Sequence, residues 1–308
     1  MKALDRHLED YLTLRRALGF KLVGEGQLLA QFVAFAEAAG ERTVTTATAL
    51  EWARLPRGGS LNYLSRRLRA VRGFARHLHA LDAACEVPPV ELLPASKYRP
   101  APYLYRDQEV LALMAAARGL RPALRGATFE TLIGLLACTG LRIGEVIRLD
   151  REDFDPGRGV LTVRDSKFGK SREVLVHESV VRALLDYGER RDRLCPRPKA
   201  RSLFITTRGT RLAHPTVYGP FRALLEQAGV RHPSPPKRPR VHDLRHSFAV
   251  KTLLGWYRDG GDVAARMPLL STYLGHVDPA ATYWYLSAAP ELLGLAAERL
   301  GLASGRRS

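Results

Sequence analysis

The apolar positions of this chain recur mostly three and four residues apart, the spacing of helices that bury one face. Leu4, Leu8, Leu12 and Leu18 predict a first helix over residues 4–18, Leu28 to Ala39 a second that ends at Gly40, and Thr45 or Thr46 the start of a third. In LNYLSRRLRAVRGFARHLHA a fourth helix carries two stripes. One is Leu64, Leu68, Val71, Ala75 and Leu78; the other is Arg69, Arg72, Arg76 and His79, continued towards the start of the helix by Arg66. No alternating run appears, so residues 1–86 are expected to be a small all-α domain. Residues 87–106 then hold Pro88, Pro89, Pro94, Pro100 and Pro102, which break helices and favour extended backbone, and so mark an interdomain linker.

Helical spacing resumes from Asp107 to about Ala117 and from Thr128 to Cys138, with Gly140 as a break before a helix carrying Arg142 and Glu145. The period shortens to two in VLTVRD and REVLVH. These flank SKFGKS and predict a β-hairpin with Lys167 near its tip, and SLFIT is expected to add a strand. Helices are expected again over 215–228, 242–256, 268–274, 280–286 and 291–300, with PSPPKRPR a basic extended loop between the first two. The fold class expected is therefore mainly α with a small antiparallel β-sheet (α+β), in which residues 107–308 form the second domain.

Charge changes the picture. Against 31 Asp and Glu stand 48 Lys and Arg, a formal +17 spread over both domains. A compact surface of that charge repels itself unless an anionic partner offsets it, so nucleic acid is the first candidate partner and an anionic membrane surface the second. A basic stripe opposite an apolar one suits a helix lying on DNA, and two basic domains joined by a semi-rigid connector suit a clamp around a duplex. The bland alternative for the stripe is a solvated arginine-rich face.

The three cysteines, Cys85, Cys138 and Cys195, are scattered and odd in number, which argues against a disulfide framework and for a reducing compartment. No CxxC or HExxH spacing suggests a metal site, no apolar run approaches a membrane span, and the charged start MKALDRHLEDY lacks the apolar centre of a signal peptide. A cytoplasmic, nucleoid-associated protein without metal or cofactor is expected.

The chemistry gathers around GHVDPAATYWYL, where His276 lies near one end and Tyr285 near the other. A phenol with a pKa near ~10 is a poor nucleophile unless other groups activate it. TGLRIGE supplies Arg142 and Glu145, SKFGKSRE supplies Lys167, and HDLRH supplies His242 and Arg245. Two arginines, a lysine and two histidines around one tyrosine suit a phosphodiester, whose anionic oxygens are clamped while the phenol attacks phosphorus. Residues three apart share a helical face, so His242 and Arg245 can address one ligand, and Glu145 can orient Arg142. Taken singly, the Arg142 and Glu145 spacing fits a surface ion pair of little value better than a catalytic pair.

ACTGLRIGEVIRL, the hairpin with SKFGKSREV, HDLRHSFA and YLGHVDPAATYWY occur in the order and spacing of the tyrosine recombinases, or phage integrase family, whose catalytic domain residues 107–290 resemble. The all-α first part resembles that family's core-binding domain in charge and size. The resemblance implies Arg142 and Arg245 as phosphate-binding residues, Lys167 as the general acid for the leaving 5′ oxygen, His242 in proton transfer or phosphate binding, His276 as a phosphate hydrogen-bond donor and Tyr285 as nucleophile. Lys170 competes with Lys167 for the acid role, and Lys170 and Arg172 join Arg66, Arg69, Arg72 and Arg76 as expected DNA contacts. Tyr283, two residues from Tyr285, is expected to pack, and His246 to be a structural neighbour. The segment between Arg245 and His276 is longer than in simpler members, and its DGGD turn is expected near the active site.

The resemblance further implies a site-specific recombinase that acts on a double-stranded target site, through a 3′-phosphotyrosine and a Holliday junction, as a tetramer or with a related recombinase partner. The C-terminal segment PELLGLAAERLGL is expected to dock on a neighbouring protomer or on its own domain. The alternatives are a type IB topoisomerase and a non-catalytic DNA-binding accessory protein.

Overall fold

The computed structural model describes residues 3–93, 101–164, 171–234, 237–288 and 290–304. It divides into two compact units, Met1–Pro100 and Ala101–Ser308, each built around its own core.

The first unit holds four helices, α1 (Ala3–Ala17), α2 (Val23–Ala38), α3 (Thr46–Arg54) and α4 (Leu61–His79). The Thr45 hydroxyl caps α3 by accepting from the Thr48 amide, and Ser60 caps α4 by accepting from Tyr63. Leu8, Phe32, Trp52, Leu68 and Phe74 meet in the core. Leu18, expected on the first apolar face, lies beyond the end of α1 and is exposed.

The basic stripe of α4 is narrower than expected. Arg66, Arg69 and Arg76 are exposed, but Arg72 is buried, and its Nε and Nη2 donate to the carbonyls of Pro88 and Pro89, both at 2.6 Å. The reason is helical phase: position 72 is four residues from Leu68 and three from Ala75, so it falls within the apolar face. Arg72 therefore ties α4 to the proline-rich segment and is withdrawn as a DNA contact.

In the second unit α5 (Asp107–Arg118) leads to α6 (Ala123–Thr139), whose Ala127, Leu132, Ile133 and Leu136 are almost inaccessible because α5 and two later helices, Glu178–Leu194 and Val241–Arg258, pack around it. A single helical turn, α7 (Ile143–Val146), follows. The sheet has the order β1-β2-β3, all antiparallel, from β1 (Phe154–Asp155), β2 (Val160–Val163) and β3 (Arg172–Leu175). Val163 pairs with Arg172 across the expected hairpin. Its tip, with Lys167 and Lys170, lies outside the described residues. SLFIT is not the third strand: Ser202 and Ile205 form only isolated bridges, to Asp150 and Arg211. Its apolar run signals burial, here of Leu203, Phe204 and Ile205, which period alone does not distinguish from pairing.

The chain continues through α8 (Glu178–Leu194), α9 (His214–Gln227), α10 (Val241–Arg258), α11 (Val263–Leu274), α12 (Ala280–Ala288) and α13 (Pro290–Ser304). Helices α10 and α11 together occupy most of the long segment between Arg245 and His276. At ~1.5 Å per residue the DGGD turn sits about 20 Å along α10 from Arg245, far from the active site instead of beside it. Helix α13 packs on its own unit: Leu292 is buried beside Tyr285, Met267 and Leu253, and Glu291 pairs with Arg258, while Leu293 is exposed. Among the described residues no helix is long and apolar enough to cross a membrane.

Candidate active site

Two helices end at the site, and each ends on glycine. Helix α6 stops at Gly140 (φ 60°) and α11 at Gly275 (φ 68°), both in the left-handed region. The space is as demanding as the backbone. A Cβ on Gly140 would stand 2.5 Å from Cδ1 of Phe248, and one on Gly275 2.7 Å from Nη1 of Arg172.

The carbonyls freed at these ends hold the arginines. Arg245, four residues into α10 and 2% exposed, donates from Nη1 to Gly140 O and from Nη2 to Leu274 O, both at 2.8 Å. Arg142 donates from Nη2 to Gly275 O at 3.1 Å, and Arg172 from Nε to Tyr273 O at 2.8 Å. The negative ends of two helix dipoles thus surround three guanidinium groups. Burial, then the neighbouring Arg142, lowers the pKa of Arg245 to about 10, which leaves it a cation at neutral pH.

Glu145 is the carboxylate among them. Its Oε1 accepts from Arg142 Nη1 (2.8 Å) and Arg172 Nη1 (3.1 Å), and its Oε2 from the Arg142 amide (2.9 Å) and Arg172 Nη2 (3.1 Å). Burial alone would raise its pKa, but the bonds and charges of Arg172 and Arg142 outweigh burial and hold it below the ordinary carboxylate value. The Arg142 and Glu145 pair is therefore no surface pair: the glutamate side chain is 2% exposed. Nor is Arg172 a free DNA contact, since its side chain is 12% exposed and its guanidinium is engaged with Glu145 and two carbonyls. It shares a face of β3 with buried Val174, and that alternation is the signal that could have placed it inside.

His242, the second residue of α10, is pushed down to about pKa 4 by burial first and by Arg245 second, so it is a neutral imidazole at neutral pH. Its ring meets that of His246 edge-on at 4.7 Å. His276 follows Gly275, and its Nδ1 lies 2.6 Å from Oγ1 of Thr282, itself buried. Thr282 and Tyr285 share one face of α12 at three-residue spacing. The His276 and Tyr285 rings stack at 6.2 Å, and the Tyr285 hydroxyl lies 3.1 Å from Nδ1 of His246. Tyr285 is 1% exposed whereas Tyr283, expected to pack, is 50% exposed. His246, expected as a structural neighbour, touches the phenol itself. Its place four residues from His242, on the same helical face, is the sequence signal for that.

Arg142, Glu145, Arg172, His242, Arg245, His276 and Tyr285 thus form one continuous cluster, with His246 added. Arg66, Arg69, Arg72 and Arg76 belong to the first unit. Among the described residues no three His, Cys, Asp or Glu side chains are grouped as a metal site requires.

The arrangement of the helices is that of a known fold, since the chain superposes on the Tn1549 transposon integrase solved with transposon right-end DNA. The TM-score is 0.68 at 18% identity, over 98% of this chain and 100% of that one. A Sinorhizobium fredii protein named as an integrase or recombinase, y4rB, is 41% identical over 306 residues, covering 97% of this chain and 98% of its own. The tyrosine recombinase XerD of Mycobacterium tuberculosis is 33% identical over 230 residues, 72% of this chain and 68% of that one. The family model described as the phage integrase family matches residues 104–291. The chain belongs to that family, the tyrosine recombinases.

Proposed function

We propose that the chain is a site-specific DNA recombinase whose Tyr285 hydroxyl attacks a backbone phosphorus. The bond from phosphorus to the 5′ oxygen breaks, a 3′-phosphotyrosine forms, and the free 5′-hydroxyl of another strand reverses the step. Arg142 and Arg245 bind the non-bridging oxygens, and their value grows as charge builds in the pentacoordinate transition state. Orientation by neutral carbonyls leaves Arg245 its full charge for that purpose. His276, steered by Thr282, donates to the phosphate, and neutral His242 lies beside Arg245 in the same cluster. Lys167 is assigned as the acid on the 5′ oxygen by resemblance alone.

The partner is duplex DNA carrying a target site, and four copies of the chain, or copies with a related recombinase, exchange strands through a Holliday junction. Exposed Arg66, Arg69 and Arg76 bind its phosphates. The observation that carries the reading is the convergence of Arg142, Arg245, His242 and His276 on Tyr285 from three separate stretches of chain. The test is a nicked suicide duplex bearing a site selected from a random library. A covalent adduct that maps to Tyr285 and is lost in Y285F is expected; an adduct at another residue, or none, would refute the reading.

A further inference from the structure

We propose that His246 is the base that takes the proton of Tyr285. The assignment rests on the reading of Tyr285 as nucleophile and adds the group that activates it. Nδ1 of His246 is 3.1 Å from the phenol oxygen, within reach of direct proton transfer. The site shields the pair from bulk water, since Tyr285 and His246 are 1% and 3% exposed, so a solvent hydroxide has no access to the phenol in this arrangement. Trp284 packs against His246 at 5.5 Å and His242 meets it edge-on at 4.7 Å, which fixes the imidazole in place.

The charges around the pair favour the transfer. Among the described residues that face it are His242 and Arg245 on α10, Trp284 on α12 and His276 on the segment before α12. The charge of Arg245 acts directly on that of the tyrosine, so a phenolate formed there is stabilised. The imidazolium formed at the same moment has as its ring neighbour His242, which is uncharged at neutral pH.

In the tautomer with its proton on Nε2, His246 accepts the phenol hydrogen bond at Nδ1. As the oxygen–phosphorus bond forms, the phenol proton moves to Nδ1, and the displaced 5′ oxygen takes its own proton from the separate acid. During religation the incoming 5′-hydroxyl loses a proton to that acid's conjugate base, and His246 returns its proton to the departing tyrosine oxygen. One proton is thus stored on His246 for the life of the covalent intermediate, and none is gained or lost over the cycle.

The test separates a base from a mere positioner by replacing His246 with Asn and with Ala. In H246N the amide oxygen occupies the region of Nδ1 and can accept the hydrogen bond but not the proton. Single-turnover adduct formation on the suicide duplex should fall on the order of 10²- to 10⁴-fold in both variants, the span of general acid–base catalysis. Retained duplex binding in a gel-shift assay reports that each variant is folded. Added imidazole should restore H246A in proportion to the neutral imidazole present. Native-like cleavage by H246N overturns the proposal, as does the failure of imidazole to raise the rate of a folded H246A. If instead the native chain gives no adduct at Tyr285, it is the reading of the nucleophile that falls.

Discussion

Replacing Glu145 by Gln removes one charge and no volume, so it isolates what the carboxylate contributes. Each of its oxygens accepts two bonds, Oε1 from Arg142 Nη1 and Arg172 Nη1, Oε2 from the Arg142 amide and Arg172 Nη2. Whichever way the glutamine amide turns, one of those sites becomes an NH₂ group facing two donors. At least two bonds are lost, and two guanidinium groups remain without a counter-charge. Bonds to charged groups contribute about 1.5–3 kcal/mol each, and breaking a buried pair costs about 3–5 kcal/mol, so a destabilisation of about 4 kcal/mol is expected. For a unit of this size that is a fall of roughly 8–16 °C in Tm. A W52F chain leaves Trp256 and Trp284 as the fluorescent reporters, both in the second unit. Thermal unfolding of that chain with and without E145Q is the assay. The pH dependence gives an independent check. Because the pKa of Glu145 is held below its unfolded value, its contribution is fully present above the ordinary carboxylate range and is lost as pH falls through the depressed value. E145Q should lack that component. A fall of less than about 2 °C, the equivalent of under about 1 kcal/mol, would show that the pair behaves as an exposed one and refute the reasoning.

Arg72→Ala should destabilise the first unit by about 2–4 kcal/mol in urea unfolding while leaving the salt dependence of DNA binding unchanged; Arg76→Ala should reverse that pattern and reduce the salt slope by about one. Gly140→Ala should lower stability by about 2–4 kcal/mol, since the left-handed backbone and the approach to Phe248 both oppose a Cβ, and an unchanged Tm would contradict that. His242 has a folded pKa of about 4 against an ordinary value of 6.5, so the unfolded chain binds the proton first and stability should decline as pH drops between those values. Urea midpoints measured across this range should show the decline in the native chain and a smaller one in H242N.

The helices were legible because their apolar residues keep a helical period, and the hairpin because its strands alternate about a turn. What the sequence concealed depends on phase and on backbone. Arg72 reads as part of a basic stripe until its angle is taken relative to Leu68 and Ala75. Arg172 reads as a hairpin cation until its pairing opposite Val163 turns it inward beside Val174. The carbonyls of Gly140, Leu274 and Gly275 could not have been read at all, because every residue has one and only the fold decides where it points. Arg142, Arg245, His242, His276 and Tyr285 were identified by motif, and the structure brings them together. His246 stood in the same motif, but its contact with Tyr285 depends on how α10 packs against α12.

A side chain can be exchanged in one mutational step, whereas a peptide oxygen is present whatever the residue. By fastening Arg245 to the main chain at two helix tips, the molecule shelters a deeply enclosed cation from genetic drift. Its orientation can be lost only by displacing a whole helix end. This leaves two glycines as the vulnerable points of an otherwise mutation-tolerant cradle.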